Sequence, residues 1–420
     1  MDRLEVEKKF YLKNGISFKD YALKLGFIEQ NSIKEDDEYF TDIEGDFIKN
    51  RTCLRIRSTN NQELEATFKG RSQVLDSCYS KVEKNLSLPK ESEKDLQEFF
   101  ESLGFLSYCN VCKKRVLLSK EKDGLCYNIA IDSIKDIGDF VEFEILADKN
   151  VFTIDEVRKQ LSEFISEFNG FDFEEALLPY RDFVAEKYFE KMCSAGTLKC
   201  LMSDLDGTLI DSESVFYNAT KNILLSKYGV KITKEEYVDN ENKKNQNLIN
   251  YLKENNRISK NVDEKEVFDL IYKEYEKGFV TLLKNSNIET NFYLLKQIKA
   301  LGIKLGLVST SKRYFINRLL EELKVTGLFD VIVAREDVEN LKPATDAYSL
   351  AMKTINVKPE ECLAIEDSLR GVEAGKGAKI NTILVEEYNM DKNSIKEEVD
   401  ILSFKKISNI LLILINYLKG

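Results

Sequence analysis

The amino-acid sequence predicts two domains of different class, an α+β domain built on antiparallel strands followed by an α/β domain built on a parallel sheet. The chain has 420 residues, more than the roughly 100–200 of one ordinary domain. Up to about residue 188, apolar and charged residues alternate with a period of two, which is typical of antiparallel strands. Beyond that point, uninterrupted apolar runs are separated by longer helical stretches, which is typical of a parallel sheet covered on both faces.

Charge and composition exclude several kinds of chemistry. Lys and Arg number 62 and Asp and Glu 73, giving a net charge of -11 that disfavours general binding to nucleic acid. The chain contains no histidine, which excludes histidine-dependent triads, imidazole general bases and histidine-liganded zinc. Catalysis is therefore expected to rest on carboxylates, lysine, arginine, hydroxyl groups or a bound metal ion.

Cysteine usage predicts reduced thiols and a cytoplasmic location. The eight cysteines are scattered, and no signal peptide precedes them. Cys109 and Cys112 form a lone CxxC, which we expect to pack, because neither a second pair nor a histidine completes a zinc site. The apolar run ILLILI at 410–415 is shorter than the roughly 20 residues that cross a bilayer. It predicts a terminal helix docked on a core, and no membrane partner is expected.

Charged residues recur on one face of at least five predicted strands in the first half. In EVEKK (5–9) the two glutamates and the last lysine share a face, because side chains of a strand alternate between its sides. Helices are expected at about 88–103 and at 153–168, where Thr153 can cap the first turn. The recurring charges are Glu5, Glu7, Lys9, Arg55, Arg57, Lys69, Lys113, Arg115, Glu142 and Glu144, with Asp132 on a further strand.

Two interpretations of this charged face stay open on the pattern alone. A charged face is usually the solvent side of a half-buried sheet. Here both signs of charge occur, and rows of basic residues in company with rows of glutamate suit an anionic ligand bound together with a divalent cation. The second interpretation requires a closed sheet whose charged face points inward.

The succession EVEKK, LRIR, TFKG, KVEK, KKR and DFVEFE resembles the CYTH family of triphosphate tunnel enzymes over about residues 1–185. The resemblance implies an antiparallel β-barrel tunnel of eight strands, with a charged interior that hydrolyses an inorganic, thiamine or nucleoside triphosphate using Mg²⁺ or Mn²⁺. A class IV adenylyl cyclase and a sensor that binds polyphosphate or nucleotide without turnover stay open as alternatives. The implied metal ligands are Glu5, Glu7, Glu142 and Glu144, and the implied triphosphate contacts are Lys9, Arg55, Arg57, Lys69, Lys81, Lys113 and Arg115.

One strand departs from the family pattern. Where the family often has Arg-x-Glu-x-Glu, this chain has KVEKN at 81–85. The second acid is missing, and the lysine cannot form the bidentate contact that arginine makes with phosphate. The departure affects the expected rate and substrate more than the expected fold.

Residues 1–188 are thus predicted to form the tunnel domain, residues 189–197 a linker and residues 198–420 a second domain. A polar, helical insert occupies about 213–295 of this second domain. The strand-like apolar runs on either side of the insert are LKCLMSDL (198–205), KLGLVST (304–310), FDVIVA (329–334), CLAIED (362–367) and INTILVE (380–386).

The run SDLDGTLID (203–211) follows the first of these strands and precedes a helical segment. Its four fixed DxDGT residues would occur by chance in about 1% of chains this long or fewer. The motif resembles the first motif of the haloacid dehalogenase superfamily of phosphotransferases over about 197–390. The resemblance implies a Rossmann-like α/β core with the insert as an α-helical cap. The later motifs follow in order, with Ser309 after KLGLV, Lys342 in LKPATDAY, and Glu366 and Asp367 in CLAIED.

The resemblance assigns a role to each motif residue. Asp204 would attack phosphorus and form an aspartyl phosphate. Asp206 would protonate the leaving oxygen and then activate water. Lys342 would neutralise the transferring group. Thr208 would form hydrogen bonds around the site, and Ser309 would hydrogen-bond to the phosphoryl group. Mg²⁺ would be bound by Asp204, the backbone carbonyl of Asp206 and Asp367, with support from Glu366.

Together the two resemblances predict a bifunctional, metal-dependent phosphohydrolase whose partners are small phosphorylated metabolites. The capped branch implies a small phosphomonoester, such as a sugar phosphate or phosphoglycolate, for the second domain. Pyrophosphatase and phosphoglucomutase activities stay open as alternatives there. The sequence leaves the physiological substrates, the oligomeric state and any cooperation between the domains undetermined.

Overall fold

The computed structural model divides into two compact units, Met1–Tyr188 and Phe189–Gly420. Each unit has its own sheet and its own hydrophobic core. The residues that the structure describes are 3–13, 15–70, 73–75, 78–80, 83–135, 137–193, 197–241, 248–283, 286–388 and 402–419.

The first unit is built on antiparallel strands. They are β1 (Arg3–Leu12), β2 (Ile28–Asp42), β3 (Cys53–Thr59), β4 (Glu63–Lys69), β5 (Gln73–Leu75), β6 (Cys78–Ser80), β7 (Glu83–Pro89), β8 (Phe105–Lys122), β9 (Leu125–Ile134), β10 (Gly138–Asp148) and β11 (Phe173–Glu175). Nine of them form one sheet in the order β11-β1-β10-β9-β8-β2-β3-β4-β7, and β5 pairs with β6 in a separate hairpin. The family resemblance implied eight strands, and the short β11, which adds to β1, brings the sheet to nine.

The sheet curves so that its distant strands face each other. Strands β1 and β4 lie six strand spacings apart in this order, which would be about 29 Å in a flat sheet. The ammonium group of Lys69 on β4 nevertheless acts on the carboxyl group of Glu7 on β1 and opposes the rise of its pKa. The ammonium groups of Lys9 on β1 and Lys113 on β8, three strand spacings apart, also lie 4.2 and 5.1 Å from the centre of the same Tyr180 ring, so the charged face of the sheet is concave. Among the described residues, no hydrogen-bonded pairing joins the edge strands β7 and β11.

The outer face of the sheet is apolar and is covered by helices. Phe10 on β1 and Phe143 on β10 pack with helix residues Phe18 and Phe164 in one buried cluster. Thr153 accepts a hydrogen bond from the Glu156 amide as the predicted N-cap. Alternation thus separates the charged inner face from the packed outer face. The helices are α1 (Gly15–Lys24), α2 (Asp46–Lys49), α3 (Glu93–Ser102), α4 (Ile154–Ser166) and α5 (Tyr180–Met192).

The second unit is built on a parallel sheet. Its strands are β12 (Cys200–Ser203), β13 (Lys304–Val308), β14 (Val331–Val333), β15 (Cys362–Glu366), β16 (Asn381–Val385) and β17 (Ser403–Phe404). Their order is β14-β13-β12-β15-β16-β17, with neighbours parallel throughout. All five predicted apolar runs contain a strand, and β17 is an addition at the edge. This confirms the predicted α/β core.

Helices surround this sheet and fill the insert. The five helices from α6 to α10 follow β12 directly, so the insert is helical as predicted. The apolar run at 410–415 lies in the last helix and is buried, and no helix among the described ranges is long and apolar enough to cross a membrane. The helices are α6 (Ser212–Tyr228), α7 (Lys234–Glu241), α8 (Leu248–Glu254), α9 (Glu264–Leu283), α10 (Ser286–Ala300), α11 (Arg313–Glu322), α12 (Asp346–Ile355), α13 (Leu369–Gly377) and α14 (Ile407–Leu418).

Candidate active sites in the two units

The predicted phosphatase residues of the second unit meet at the carboxyl edge of its sheet. Asp204 directly follows β12, Ser309 directly follows β13, and Glu366 is the last residue of β15. These three strands are neighbours in the sheet, and parallel strands end on the same edge. The Asp204 amide donates to the Ile365 carbonyl at 3.0 Å, which fixes the start of the loop against β15.

The DLDGT segment makes a tight turn beneath the site. Gly207 has a φ of 77°, and its amide donates to the Ile210 carbonyl at 2.9 Å. A Cβ at Gly207 would overlap the carboxylate of Asp367. Only glycine therefore permits both the backbone conformation and the close approach of this acid. The Thr208 hydroxyl is fully buried and has no hydrogen-bond partner among the described residues, which leaves it available to a bound group.

Lys342 contacts both the predicted nucleophile, Asp204, and the neighbouring acid Glu366. Its ammonium group donates to Asp204 at 2.5 Å and to the Val308 carbonyl at 2.7 Å, and lies 2.7 Å from Glu366. Burial disfavours this charge, but the two carboxylates outweigh burial and raise the pKa of Lys342 above its usual value. The lysine is therefore a fixed positive charge at the centre of the site.

The pKa of Asp204 is raised to about 8. Burial is the main cause; Lys342 opposes the shift, and the nearby Glu366 and Asp206 carboxylates add to it. Asp204, Glu366 and Asp367 each place a carboxylate oxygen within 4.8 Å of the others. Three acids this close fit a divalent cation, because a cation offsets both their burial and their mutual repulsion. The Asp206 side chain is not one of this group.

The Asp206 side chain instead contacts two serines, and both of these serines lie on the loop after β13. Its Oδ2 accepts from the Ser311 hydroxyl at 2.6 Å and from the Ser309 hydroxyl at 3.2 Å. The Ser311 amide also donates to the Ser309 hydroxyl at 2.9 Å. Ser311 is thus the closer of the two partners of the predicted acid, although the motif comparison did not single it out.

Two further residues that the sequence did not single out hold the acids and the lysine. The Tyr348 hydroxyl, on α12, donates to Glu366 at 2.5 Å in a fully buried position. Arg370, on α13, donates to the Lys342 carbonyl at 2.6 Å. Both lie within a few residues of a recognised motif, in LKPATDAY and in EDSLRG. Their position beside a motif was the signal that the sequence offered for these two residues. The groups to which they hydrogen-bond are visible only in the folded structure.

The first unit contains an acidic cluster on β1 and β10. Glu5, Glu7 and Glu144 each place a carboxylate oxygen within 4.8 Å of the others, and Glu7 is paired with Glu144 across the strands. Three convergent carboxylates fit a divalent cation. Glu142 lies opposite Lys9 in the register and outside this group of three.

The pKa values of Glu7 and Glu142 shift in opposite directions. The negative charge of Glu142 raises the pKa of Glu7 to about 9. Burial opposes ionisation of Glu142, but a hydrogen bond from Glu7 and the positive charges of Arg115 and Lys113 lower its pKa to about 2. The cations thus favour the ionised form of Glu142, whereas the charge of Glu142 disfavours ionisation of Glu7.

Arg57 and Arg115 are held by acids on neighbouring strands. Arg57 donates to both oxygens of Asp37 at 2.6 and 2.8 Å and to Glu35 at 2.9 Å. Arg115 donates to both oxygens of Asp132 at 2.7 Å. Such bidentate pairs fix the plane of each guanidinium group. Arg115 also donates to Glu142 at 3.0 Å.

The remaining cations of the tunnel have looser or different partners. Lys113 lies 2.9 Å from Glu35, and burial lowers its pKa. Lys9 donates to the Leu178 carbonyl at 2.7 Å and lies 4.2 Å from the centre of the Tyr180 ring. The Nε atom of Arg55 is buried with no hydrogen-bond partner among the described residues. The positive charge of Lys69 opposes the rise in the pKa of Glu7, and Lys81 lies outside the described residues.

Sequence reasoning missed the acids of β2 and the tyrosine of α5. Glu35 and Asp37 neutralise three of the tunnel cations, and the Tyr180 hydroxyl donates to Asp132 at 2.7 Å. In KEDDEYF (34–40) the first five residues are all charged, so no alternation of apolar and charged residues marks which acids face inward. Tyr180 gives no pattern either, since it follows Pro179 at the start of a helix.

Comparison with known proteins identifies the same two regions. A family model described as a CYTH domain matches residues 3–176, and one described as a haloacid dehalogenase-like hydrolase matches residues 201–385. "Putative phosphatase YhcW" of Bacillus subtilis (strain 168) is 30% identical over 196 residues, or 45% of this chain and 83% of that protein. Pyrophosphatase PpaX of Bacillus cereus (strain B4264) is 25% identical over 201 residues, with the same coverage of 45% and 83%.

A solved structure of a "putative beta-phosphoglucomutase" from Thermotoga maritima is also similar. It has 25% sequence identity and a TM-score of 0.43, and the match covers 52% of this chain and 98% of that one.

Proposed function

The chain belongs to the haloacid dehalogenase-like hydrolases and carries a CYTH domain ahead of the hydrolase domain, and we propose on this basis that it is a bifunctional, metal-dependent phosphohydrolase. The two units are the two functional domains, joined near residues 189–197. Its partners are small phosphorylated metabolites in the cytoplasm. The observation that carries the second activity is the contact of Asp204 with Lys342 at 2.5 Å, beside the buried Glu366 and the half-buried Asp367.

In the first step of the second unit, Asp204 attacks the phosphorus of a phosphomonoester. A bond forms between its carboxylate oxygen and phosphorus, the bond from phosphorus to the leaving oxygen breaks, and Asp206 donates a proton to that oxygen. Lys342 offsets the negative charge that gathers on the phosphoryl oxygens. Ser311 keeps Asp206 in place while the Ser309 hydroxyl turns to the phosphoryl group.

In the second step, water releases the phosphoryl group. Asp206 is now a carboxylate and accepts a proton from water as the water oxygen attacks phosphorus. The bond between phosphorus and Asp204 breaks, so inorganic phosphate leaves and the carboxylate of Asp204 is restored. Each turnover consumes one water molecule and returns both aspartates to their starting forms.

A divalent cation, Mg²⁺ in our proposal, would be held by Asp204 and Asp367, with Glu366 supporting that pair through its contact with Lys342. Bound there, it would supply charge neutralisation between the substrate and the nucleophile. The buried Thr208 hydroxyl and the space that Gly207 leaves for Asp367 support this fit.

Trapping of the covalent intermediate tests this half of the proposal. Hydroxylamine added during hydrolysis of p-nitrophenyl phosphate should convert the aspartyl phosphate to a hydroxamate. Peptide mass spectrometry of the full-length protein should place that modification on Asp204 and not on Asp211, which caps α6 through the Ser214 amide. Modification elsewhere, or none during active turnover, would argue for a different nucleophile.

The first unit, in our proposal, hydrolyses a triphosphate with Mg²⁺ or Mn²⁺ held by Glu5, Glu7 and Glu144. The phosphates are contacted by Lys9, Arg55 and Lys69. They are also contacted by three cations whose side chains are already oriented by neighbouring acids. The observation that carries this activity is an acidic cluster beside a row of cations inside one curved sheet. The oriented cations are Arg57, Lys113 and Arg115.

Product analysis distinguishes this activity from its alternatives. Full-length protein with inorganic triphosphate, thiamine triphosphate or ATP should release phosphate, measured with malachite green, and form no cyclic AMP by HPLC. Glu7→Gln should abolish the release, whereas Glu174→Gln, an exposed acid on β11, should not. Cyclic AMP as the product would identify a cyclase, and tight binding without any product would identify a sensor.

A further inference from the structure

Tyr180, at the start of α5, contacts two cations and one acid of the proposed tunnel site. Resting on the proposed function of the first unit, we propose that Tyr180 is a positioning residue for triphosphate binding. Its ring holds the ammonium group of Lys9 ready for a phosphate without cancelling the positive charge. Its hydroxyl group keeps the ring in place by bonding to Asp132.

Lys9 differs from other cations of the tunnel in the groups that hold it. Lys113 and Arg115 lie 2.9 and 2.7 Å from carboxylate oxygens. Lys9 instead donates to the Leu178 carbonyl at 2.7 Å, and its ammonium group lies 4.2 Å from the centre of the Tyr180 ring. Among the residues that the structure describes, no carboxylate forms an ion pair with Lys9. Two neutral groups therefore hold this lysine.

An aromatic ring and a carboxylate hold an ammonium group in different ways. The ring attracts the cation through the negative charge on its face, but the ring carries no net charge. A carboxylate at the same place would offset the charge that attracts a phosphate. Burial lowers the pKa of Lys9, and the charges of Glu142 and Glu7 oppose that shift. A neutral partner that favours the cation therefore helps to keep Lys9 charged and available to a phosphate.

Tyr180 is itself fixed by residues of β9 and β10. Its side chain is buried, its hydroxyl group donates to Asp132 at 2.7 Å, and its ring centre lies 4.9 Å from that of Phe140. The next residue, Arg181, is buried and donates to the Thr52 carbonyl at 2.5 Å. A flexible lysine loses less freedom on binding a ligand when a rigid neighbour has already oriented it. The ring therefore orders the lysine before a phosphate binds.

Lys113 contacts the same ring but depends on it less. Its ammonium group lies 5.1 Å from the ring centre, against 4.2 Å for Lys9. It also lies 2.9 Å from Glu35 and 3.7 Å from Asp37. Loss of the ring should therefore act mainly through Lys9, because Lys113 keeps its carboxylate partners.

Isothermal titration calorimetry of the full-length protein with inorganic triphosphate tests the inference. Divalent cations are left out, so that binding is measured apart from hydrolysis. Tyr180→Leu should raise Kd about tenfold or more, as expected for loss of a cation–π contact that is shielded from water. Tyr180→Phe keeps the ring and should stay within about threefold of the wild type. Lys9→Met should also weaken binding, which assigns the measured site to the tunnel.

A double variant shows whether Tyr180 acts through Lys9. In the Lys9→Met background, Tyr180→Leu should change Kd by no more than about twofold, because the cation that the ring holds is gone. Trifluorophenylalanine in place of Tyr180 keeps the shape of the ring but withdraws electrons from its face. The protein that carries it should therefore bind triphosphate more weakly than Tyr180→Phe does. This comparison is informative even if Tyr180→Leu does not fold.

Tyr21→Leu is the matched control, since it removes an exposed tyrosine from α1 in the same unit and should leave Kd unchanged. An unchanged Kd in Tyr180→Leu, or an equal rise with and without Lys9, would overturn the inference. Equal affinities of the two phenylalanine variants would overturn it as well. If the wild type binds triphosphate but does not hydrolyse it with Mg²⁺ or Mn²⁺, the proposed function fails and the inference on binding stands. If the wild type does not bind triphosphate, both fail.

Discussion

Ser311 shows how a single side chain outside the recognised motifs can bear on the chemistry. Its hydroxyl is the closest partner of the Asp206 carboxylate, and its amide holds the Ser309 hydroxyl. A hydrogen bond to the carboxylate orients it towards the leaving oxygen. The acid matters most when the leaving group is a poor one, because a stable leaving anion needs little protonation.

We therefore expect Ser311→Ala to affect substrates unequally. For an alkyl phosphate, kcat should fall about tenfold or more, because general acid catalysis contributes about 10²–10⁴ to such reactions. For p-nitrophenyl phosphate the loss should stay within about threefold. Steady-state assays with both substrates measure the difference, and Ser311→Thr should restore part of the lost rate. Thr310→Ala, at the adjacent exposed position, is the control. Equal losses on both substrates would mean that Ser311 acts only on the loop structure.

Asp37 is the residue on which the cations of the tunnel depend most. It is almost fully buried, accepts two hydrogen bonds from Arg57, and lies 3.7 Å from Lys113 and 3.6 Å from Arg55. Burial opposes its charge, but the hydrogen bonds from Arg57 and the charges of Lys113 and Arg55 outweigh burial and lower its pKa well below the usual range. The stability that ionised Asp37 contributes to the folded first unit is therefore present at neutral pH and is lost as the pH falls below about 4.

Asp37→Asn should destabilise the first unit by about 3–5 kcal/mol, because it leaves buried cations without their partner. The neighbouring Asp36 faces the other side of β2 and pairs with Lys34 at 3.1 Å in an exposed position. Asp36→Asn should therefore cost no more than about 1 kcal/mol. Urea unfolding followed by far-UV circular dichroism compares the two, since the chain has no tryptophan to report by fluorescence. Equal stabilities of the two variants would contradict this account.

At the level of single residues, the motif residues could be predicted from the sequence more reliably than the residues that hydrogen-bond to them. The cations and acids of the recognised strands lie on the inner face, because a period of two determines which side each residue faces. The pairing of Arg57 with Asp37 and of Arg115 with Asp132 depends on which strands are neighbours and in what register. The two-residue Asp123-Gly124 turn sets the register of β8 against β9 and could have predicted the second pairing. The connection between β2 and β3 is longer, so the first pairing requires the folded sheet.

Helix α13 shows how an element positions an acid of the proposed phosphatase site. Its first turn lies against the end of β15, and a Cβ at Gly371 would overlap the carboxylate of Glu366. Alanine is the better helix former by about 1 kcal/mol, so local propensity alone favours replacing this glycine. The glycine is needed because the helix packs on a carboxylate that also contacts Lys342 and Tyr348.

Gly371→Ala should accordingly lower phosphatase activity without a gain in stability. We expect kcat for p-nitrophenyl phosphate to fall at least about tenfold, because a displacement of about 1 Å at a catalytic group can cost that much or more. Glu373→Ala, an exposed position two residues later in the same helix, should leave kcat unchanged. Titration with Mg²⁺ in both variants checks whether the loss follows weaker metal binding. Wild-type kinetics in Gly371→Ala would mean that Glu366 tolerates the added methyl group.

Most elements could be predicted from the sequence, and the differences have physical causes. The apolar run LKCLMSDL predicted a strand, but β12 ends at Ser203, because the chain must turn at Asp204 to present the carboxylate. The short strands β11 and β17 had no pattern of their own, since two or three residues are too few to show a period. Their pairing with a longer neighbour creates them.

For the whole molecule, the two proposed phosphate-binding sites use separate sets of residues. The first unit holds its acids and cations inside an antiparallel sheet, and the second holds a nucleophile and its partners at the edge of a parallel sheet. No residue named in one site belongs to the other. A change in one site should therefore leave the activity of the other unchanged.

Asp204→Asn in the full-length protein tests this central claim most directly, with two substrates assayed on the same preparation. The substitution preserves the shape of the side chain and removes the nucleophilic carboxylate. We predict that hydrolysis of p-nitrophenyl phosphate falls at least about a thousandfold, in the range expected for loss of a covalent nucleophile, while release of phosphate from inorganic triphosphate stays unchanged. Retention of p-nitrophenyl phosphate hydrolysis, or loss of both activities in a folded protein, would contradict the account.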